Sequence, residues 1–168
     1  MTSLSERDTE AASQVVAVSD FRRFMRGWAT GVAVVTSALG GHPTGCTVNT
    51  FISVSLAPPL LLVSLADDGN TLAAIRTRGM FAVNVLTGQQ ERLAARFAVS
   101  TADRFHDVPY HLTDGVPVIA GVAGAAVCAL TGTMPVADHV LVFGRPLSCE
   151  RTGSAGTLLF FDGGYRQA

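Results

Sequence analysis

From Gly27 to Ala66 the chain carries no aspartate, glutamate, lysine or arginine. A run of that length without a formal charge has to bury much of its surface, since apolar area leaves water at about 25 cal/mol per Å². It cannot do so as one helix. Gly31, Gly40, Gly41, Pro43, Gly45, Asn49, Pro58 and Pro59 cut it into short pieces. Those pieces are rich in valine, threonine, isoleucine and leucine, which suit a pleated, half-buried surface. The pattern predicts strands at about 31–36, 45–48, 51–55 and 60–65, with LGGHPTG as a turn. The same interruptions argue against a membrane-spanning helix, and the apolar run from Val118 to Leu130 is too short to span.

The flanking segments extend this pattern. Ser19 and Asp20 offer helix-capping side chains, and Phe21, Phe24, Met25 and Trp28 then recur on one helical face. That aromatic stripe is expected to pack into the core, with Arg22, Arg23 and Arg26 mostly opposite. ADDGNTLAAIRTRG reads as a loop and a helix capped by Asn70 or Thr71, with Leu72, Ala73 and Ile75 facing inward. MFAVNVL reads as a strand and QQERLAARFA as a helix, while DRFHDVPYHLTDGVP reads as irregular. GVAGAAVCALTGT, DHVLVFGRP and TLLFFDG supply three more strands. Many strands, few short helices and no regular alternation indicate a mainly β fold with flanking helices. A closed or partly closed β-barrel fits better than a doubly wound sheet. Residues 1–18 are expected to form a flexible polar tail and 19–168 a single domain. No basic region leads into an apolar core as in a signal peptide, so a cytoplasmic protein is expected.

Composition removes several function classes. Of the 168 residues, 15% are charged and 48% hydrophobic, which points to a dense interior and to apolar surface hidden against a second subunit. Net charge is -1 with scattered basic residues, so neither nucleic acid nor an anionic membrane is expected as a partner. The 12 fixed cations are all arginines, and a Walker phosphate loop needs a lysine. There is no G-x-G fingerprint, no G-x-S-x-G elbow and no close carboxylate pair at a strand end. Cys46, Cys128 and Cys149 lie far apart and are expected to be buried free thiols. His42, His106, His111 and His139 lack the spacing of metal ligands, and no metal is expected.

What remains is a concentration of small neutral hydrogen-bonding groups: Thr47, Asn49, Thr50, Ser53 and Ser55. Two readings stay open. These side chains satisfy local backbone at strand ends, or they hold something polar and uncharged. A flavin ring would suit the second reading, because it needs hydrogen bonds to its carbonyls and ring nitrogens, an apolar wall, and donors for its phosphate. On a strand Thr47 and Asn49 point to the same side.

The ordered segments FRRFMRGWATGVAVVTS, GHPTGCTVNTFISVSLAPPLLLVSL, NTLAAIRTRGMFAVNVL, LAARFA, DRF and ADHVLVFGRP resemble the flavin reductase-like proteins. These are the short-chain NAD(P)H:flavin oxidoreductases that partner two-component flavin-dependent monooxygenases. The resemblance runs from about Phe21 to Tyr165. It implies an FMN-binding split β-barrel, a homodimer with flavin near the subunit interface, and hydride transfer from NADH, less so NADPH, to FMN or FAD. Reduced flavin would then pass to a partner monooxygenase. By position, Pro43, Thr44, Gly45, Cys46 and Thr47 would line the isoalloxazine, and Asn49 and Thr50 would bond its polar edge or ribityl chain. Ser64, Leu65 and Ala66 would form the next wall. Asn70 and Thr71 would bind phosphate or ribityl oxygens at a helix N-terminus, with Arg96 and Phe97 near the phosphate. His139 would lie beside the nicotinamide, its tautomer fixed by Asp138, and Phe161, Asp162, Gly163 and Gly164 match a segment that contacts the pyridine nucleotide.

Three positions depart from the family pattern. Cys46 stands where a larger methionine or aromatic is common, Ala137 replaces a glycine before Asp-His, and Asp162 stands where relatives often carry arginine. An acid at Asp162 would repel nucleotide phosphates if it pointed at them, disfavouring NADPH. The alternative reading is a non-catalytic flavin-binding module on the same barrel.

Overall fold

The computed structural model describes residues 15–100, 103–152 and 156–168. Residues 1–14 of the expected tail lie outside the described residues. The helices are α1 (Val18–Arg26), α2 (Asn70–Arg78) and α3 (Glu91–Ala98). The first six strands are β1 (Thr30–Gly31), β2 (Ala33–Leu39), β3 (His42–Val48), β4 (Phe51–Leu56), β5 (Pro59–Ala66) and β6 (Met80–Val85). The last six are β7 (Tyr110–Thr113), β8 (Val116–Ile119), β9 (Gly124–Val136), β10 (His139–Arg151), β11 (Leu158–Phe161) and β12 (Gly164–Gln167). A seven-stranded antiparallel sheet, ordered β3-β2-β6-β9-β10-β5-β4, is accompanied by small sheets β1-β11-β12 and β7-β8. The sheet does not close on itself, as expected of a split barrel.

Burial on two sides explains the uncharged run in β2, whereas β4, farther along it, is mostly exposed. Strand side chains alternate between faces, and β2 is buried on both. Val35 joins Val63, Leu65, Leu72, Ile75, Phe81 and Val142 in one core. Its neighbour Val34 joins Leu86, Phe97, Phe105, Ile119 and Leu158 in another. Helix α2 belongs to the first core through Leu72 and Ile75, and α3 to the second through Ala94 and Phe97. The two helices therefore flank β2 and β3 from opposite sides.

Several expectations need correction. The stripe of α1 does not enter the core: Phe21, Phe24, Met25 and Trp28 are 57%, 76%, 43% and 67% exposed. The helical period was legible, but a face can be apolar because something outside the chain covers it. Ser19 and Asp20 do not cap this helix; Ala17 stands at its N-cap, and Asp20 accepts from Arg23 at 2.8 Å instead. Neither Asn70 nor Thr71 caps α2, whose N-cap is Gly69; Ala73 is exposed, while Thr71 and Ala74 are buried beside Leu72 and Ile75.

The turn expected over LGGHPTG contracts to Gly40-Gly41, both at positive φ, and His42, Pro43 and Thr44 continue into β3. Proline is tolerated there because β3 is an edge strand. Within the segment read as irregular, Asp114-Gly115 forms a two-residue turn with φ of 50° and 75°, pairing β7 with β8. Asp162-Gly163 does the same between β11 and β12, at φ of 49° and 73°. Of the three free cysteines only Cys128 is fully buried; Cys46 is half-buried and Cys149 exposed.

Candidate functional site

Strand β3 carries the centre of the site. Its residue Gly45 has no room for a side chain: a Cβ there would lie 2.9 Å from the Val35 carbonyl oxygen and 3.1 Å from the Phe97 ring. The Gly45 carbonyl is turned to Arg104, whose Nη1 donates to it at 2.6 Å while Nε donates to the Val99 carbonyl at 2.7 Å. Phe105, the next residue, anchors this segment by an edge-to-face contact with Phe97, ring centroids 5.0 Å apart. The arginine is thus held from both sides over the start of α2.

A cleft of about 390 Å³ opens at that point, lined by Cys46, Leu65, Ala66, Asn70, Thr71 and Arg104 among others. A smaller one of about 100 Å³ shares Asn70, Ser100 and Arg104 with it and adds Pro43, Thr44, Gly45 and Asp103. Its electrostatics are mixed: Arg104 and the start of α2 offer positive charge, while Asp68 lines the larger cleft and Asp103 the smaller. Helix α2 starts at Gly69 without a side-chain cap and without an acidic residue in its first turn. Its leading N–H groups therefore face the cleft unneutralised by the helix. Burial pushes the Cys46 thiol up, against the opposing influence of a Thr71 hydrogen bond and the Arg104 charge. The thiol stays neutral at pH 7 and presents no competing negative charge. Asp68 at the mouth is the one carboxylate of the larger cleft.

These features fit a flavin and its phosphate: apolar and neutral polar walls, an uncapped helix start, and one fixed guanidinium. His139 is not among the residues lining these clefts, but strand register brings it next to them, since β10 pairs with β5 and places His139 opposite Ala66. The Asp138 carbonyl also accepts from the Asp67 N–H at 3.3 Å. One ring nitrogen of His139, Nδ1, lies 2.8 Å from the Asp138 carboxylate. That hydrogen bond, and next a backbone hydrogen bond, hold the Asp138 carboxyl below the usual carboxylate range.

The expected residues divide among several places. Pro43, Thr44, Gly45, Cys46, Leu65, Ala66, Asn70 and Thr71 come together at the two joined clefts. Thr47 donates its hydroxyl to the Ala94 carbonyl of α3 at 2.7 Å, which uses it to dock helix on strand. Ser64 is half-buried opposite Leu141, and Thr50 is exposed between β3 and β4. Arg96 lies elsewhere, donating to the His106 carbonyl at 2.7 Å in a cleft with Arg92 and Asp107. Phe97 is core. Asn49 meets Phe161, Asp162 and Gly163 in a separate cleft, beside residues of α1. Gly164 opens β12 just beyond the turn. Several lining residues were given no role in the sequence reading, among them Asp68, Ser100, Asp103 and Arg104. The available signal was DRF: an arginine next to an apolar anchor.

Comparison with known proteins follows the same lines. The chain is 41% identical over 140 residues to a "Probable flavin reductase" of Rhizobium meliloti, covering 82% of this chain and 45% of that protein. It is 45% identical over 129 residues to "Flavin reductase (NADH)" of Kitasatospora aureofaciens, covering 74% and 67%. The chain thus spans less than half the length of the first of these relatives. Among solved structures, nitrilotriacetate monooxygenase component B homolog from Mycobacterium thermoresistibile superposes with a TM-score of 0.85 at 29% identity, covering 89% of this chain and 86% of that one. Residues 25–168 match the flavin reductase like domain, and the chain belongs to that family.

Proposed function

We propose that the protein is an NADH-dependent flavin reductase that supplies reduced FMN or FAD to a partner monooxygenase. The observation that carries this reading is the joined cleft at the start of α2, where Arg104 and the uncapped helix face neutral walls from β3 and β5. A flavin held there would supply the redox chemistry as a hydride acceptor. The chain's own residues bind and orient. Arg104, Asn70 and Thr71 take the phosphate end, and Cys46, Leu65 and Ala66 give the ring an uncharged wall. Hydride transfer needs no acid or base; proximity and stacking lower its barrier. His139, half-exposed beside Ala66 and hydrogen-bonded to Asp138, would position the nicotinamide or move a proton.

The partners follow from surface and relatives. Strand β4 is an edge of the sheet, yet Phe51, Ile52, Val54 and Leu56 on it are 37%, 53%, 45% and 85% exposed. An exposed apolar edge calls for a cover, and a second copy of the chain supplies it as a homodimer. Likeness to a monooxygenase component supports an oxygenase as recipient of the reduced flavin. No helix among the described residues is long and apolar enough to cross a membrane.

The test is aerobic oxidation of NADH, and separately NADPH, by the full chain with FMN, FAD or no flavin. Flavin-dependent loss of NADH establishes the reductase. Saturable flavin binding without turnover for any pair would instead establish the binding module.

A further inference from the structure

The cleft that holds Arg96 lies apart from the joined clefts at the start of α2, and the flavin chemistry above gives it no role. It encloses about 300 Å³ between α3 and the segment that follows His106, at the lower end of the ~300–1,000 Å³ of ordinary ligand clefts. Its lining is apolar where it is deepest: Val108 and Ile119 are buried and Leu93 is half-buried. Arg92, Arg96 and Asp107 line it as exposed, charged residues. Among the described residues it shares no lining residue with the clefts at α2.

The charges of this cleft are not satisfied within the chain. Arg92 and Arg96 are four residues apart on α3, a spacing that puts like charges on one face, where they repel. A carboxylate between them would relieve the repulsion, yet among the described residues neither arginine forms an ion pair. Arg96 donates to the neutral carbonyl of His106 instead, at 2.7 Å. The one acid of the cleft, Asp107, is turned to the His106 ring, with Nε2 3.1 Å from its carboxylate. Two arginines against one aspartate leave a single net positive charge beside an apolar floor.

We infer that this cleft binds a small organic monoanion, a carboxylate carried on an apolar body. The forked, planar guanidinium of Arg92 matches the two oxygens of a carboxylate. Leu93, Val108 and Ile119 take the apolar body out of water. A phosphate dianion fits less well, because Asp107 offsets one of the two cations. A neutral ligand would leave the repulsion between the arginines as it stands.

Benzoate, phenylacetate and octanoate, titrated into the isotope-labelled full chain and followed by NMR, test the site. At least one should bind saturably and shift the side-chain amide signals of Gln89 and Gln90, which line the cleft, while that of Asn70 stays in place. Arg92→Ala should weaken the binding about tenfold, the loss of one charge-assisted contact, and should keep the wild-type Tm because Arg92 is exposed and unpaired. Ala120→Glu, which adds a second acid to the lining, should abolish it. The neutral amide of the same acid should bind at least tenfold more weakly, and saturating FMN should leave the acid's Kd unchanged. Binding of none of the three acids overturns the inference, as do equal affinities in wild type and Arg92→Ala. Competition with FMN also overturns it, by placing the acid in the flavin cleft. Should an acid bind as stated while no flavin binds at all, the reductase reading fails and this one stands.

Discussion

The Nη1 of Arg104 donates to the carbonyl oxygen of Gly45 at 2.6 Å, across 59 residues of sequence. The bond ties the segment after α3 to the middle of β3, and it leaves a guanidinium fixed over the start of α2. Replacing Arg104 by alanine should weaken FMN binding by about 1.5–3 kcal/mol, tenfold to a hundredfold in Kd. Arg104→Lys should recover part of the affinity, because it restores charge without the forked geometry. Flavin fluorescence titration reads both; unchanged affinity in Arg104→Ala would remove this cleft from the flavin site.

Asn84 holds three strands together from a fully buried position. Its Nδ2 donates to the Val34 carbonyl and the Thr36 hydroxyl, both at 3.0 Å, and its Oδ1 accepts from the Ile119 N–H at 2.8 Å. Truncation to alanine strands several buried polar groups at ~1–3 kcal/mol each. Asn84→Ala should therefore lose about 3 kcal/mol or more in urea denaturation, with a lowered midpoint.

Ala137 occupies the β9–β10 turn at φ of 52°. An L side chain pays roughly 1–2 kcal/mol for that region, and glycine pays nothing steric but gives up more freedom on folding. The net expectation for Ala137→Gly is a gain of about 0.5–1 kcal/mol, measurable as a rise in Tm. Because the turn leads straight into Asp138 and His139, NADH oxidation should be followed in the same variant.

Burial pushes the Cys128 thiol up from 9.0 to about 12, with a further contribution from the nearby Cys149. The folded chain keeps this proton where the unfolded chain releases it. Stability is therefore full below about pH 9 and falls as pH rises toward 12. Cys128→Ala should flatten that decline while costing packing at neutral pH. In alkylation at pH 8, exposed Cys149 should react first and Cys128 only on unfolding.

The strand-sized pieces of the uncharged run were legible because glycine and proline act locally, through φ and a missing N–H. Hence the boundaries of β4 and β5 fell within a residue or two of expectation. The Asp-Gly turns at 114–115 and 162–163 were equally local signals, yet both were passed over, the first inside a segment that reads as polar and irregular and the second inside TLLFFDG, read as a strand. Asn70 and Thr71 could be placed at a helix start from sequence, and the structure brings them to a cleft with Cys46 and Ala66. The roles of Thr47 and Arg96 were not separable in the same way. Each carries a side chain able to bond a ligand or a carbonyl, and only packing shows that both reach carbonyls.

By itself the sequence determined the fold class, because an uncharged run of β-branched and aliphatic residues cut every few residues forms short strands. It also set the family, through motifs in order along most of the chain. The tertiary structure alone decided which polar groups meet. Arg104 reaches Gly45, His139 stands opposite Ala66, and Asn49 sits with Arg26 and Asp162 rather than with Asn70. The physical reason is that hydrogen bonds and charges act over a few ångströms of space. Those ångströms are set by sheet register and helix docking, which no local pattern of residues encodes.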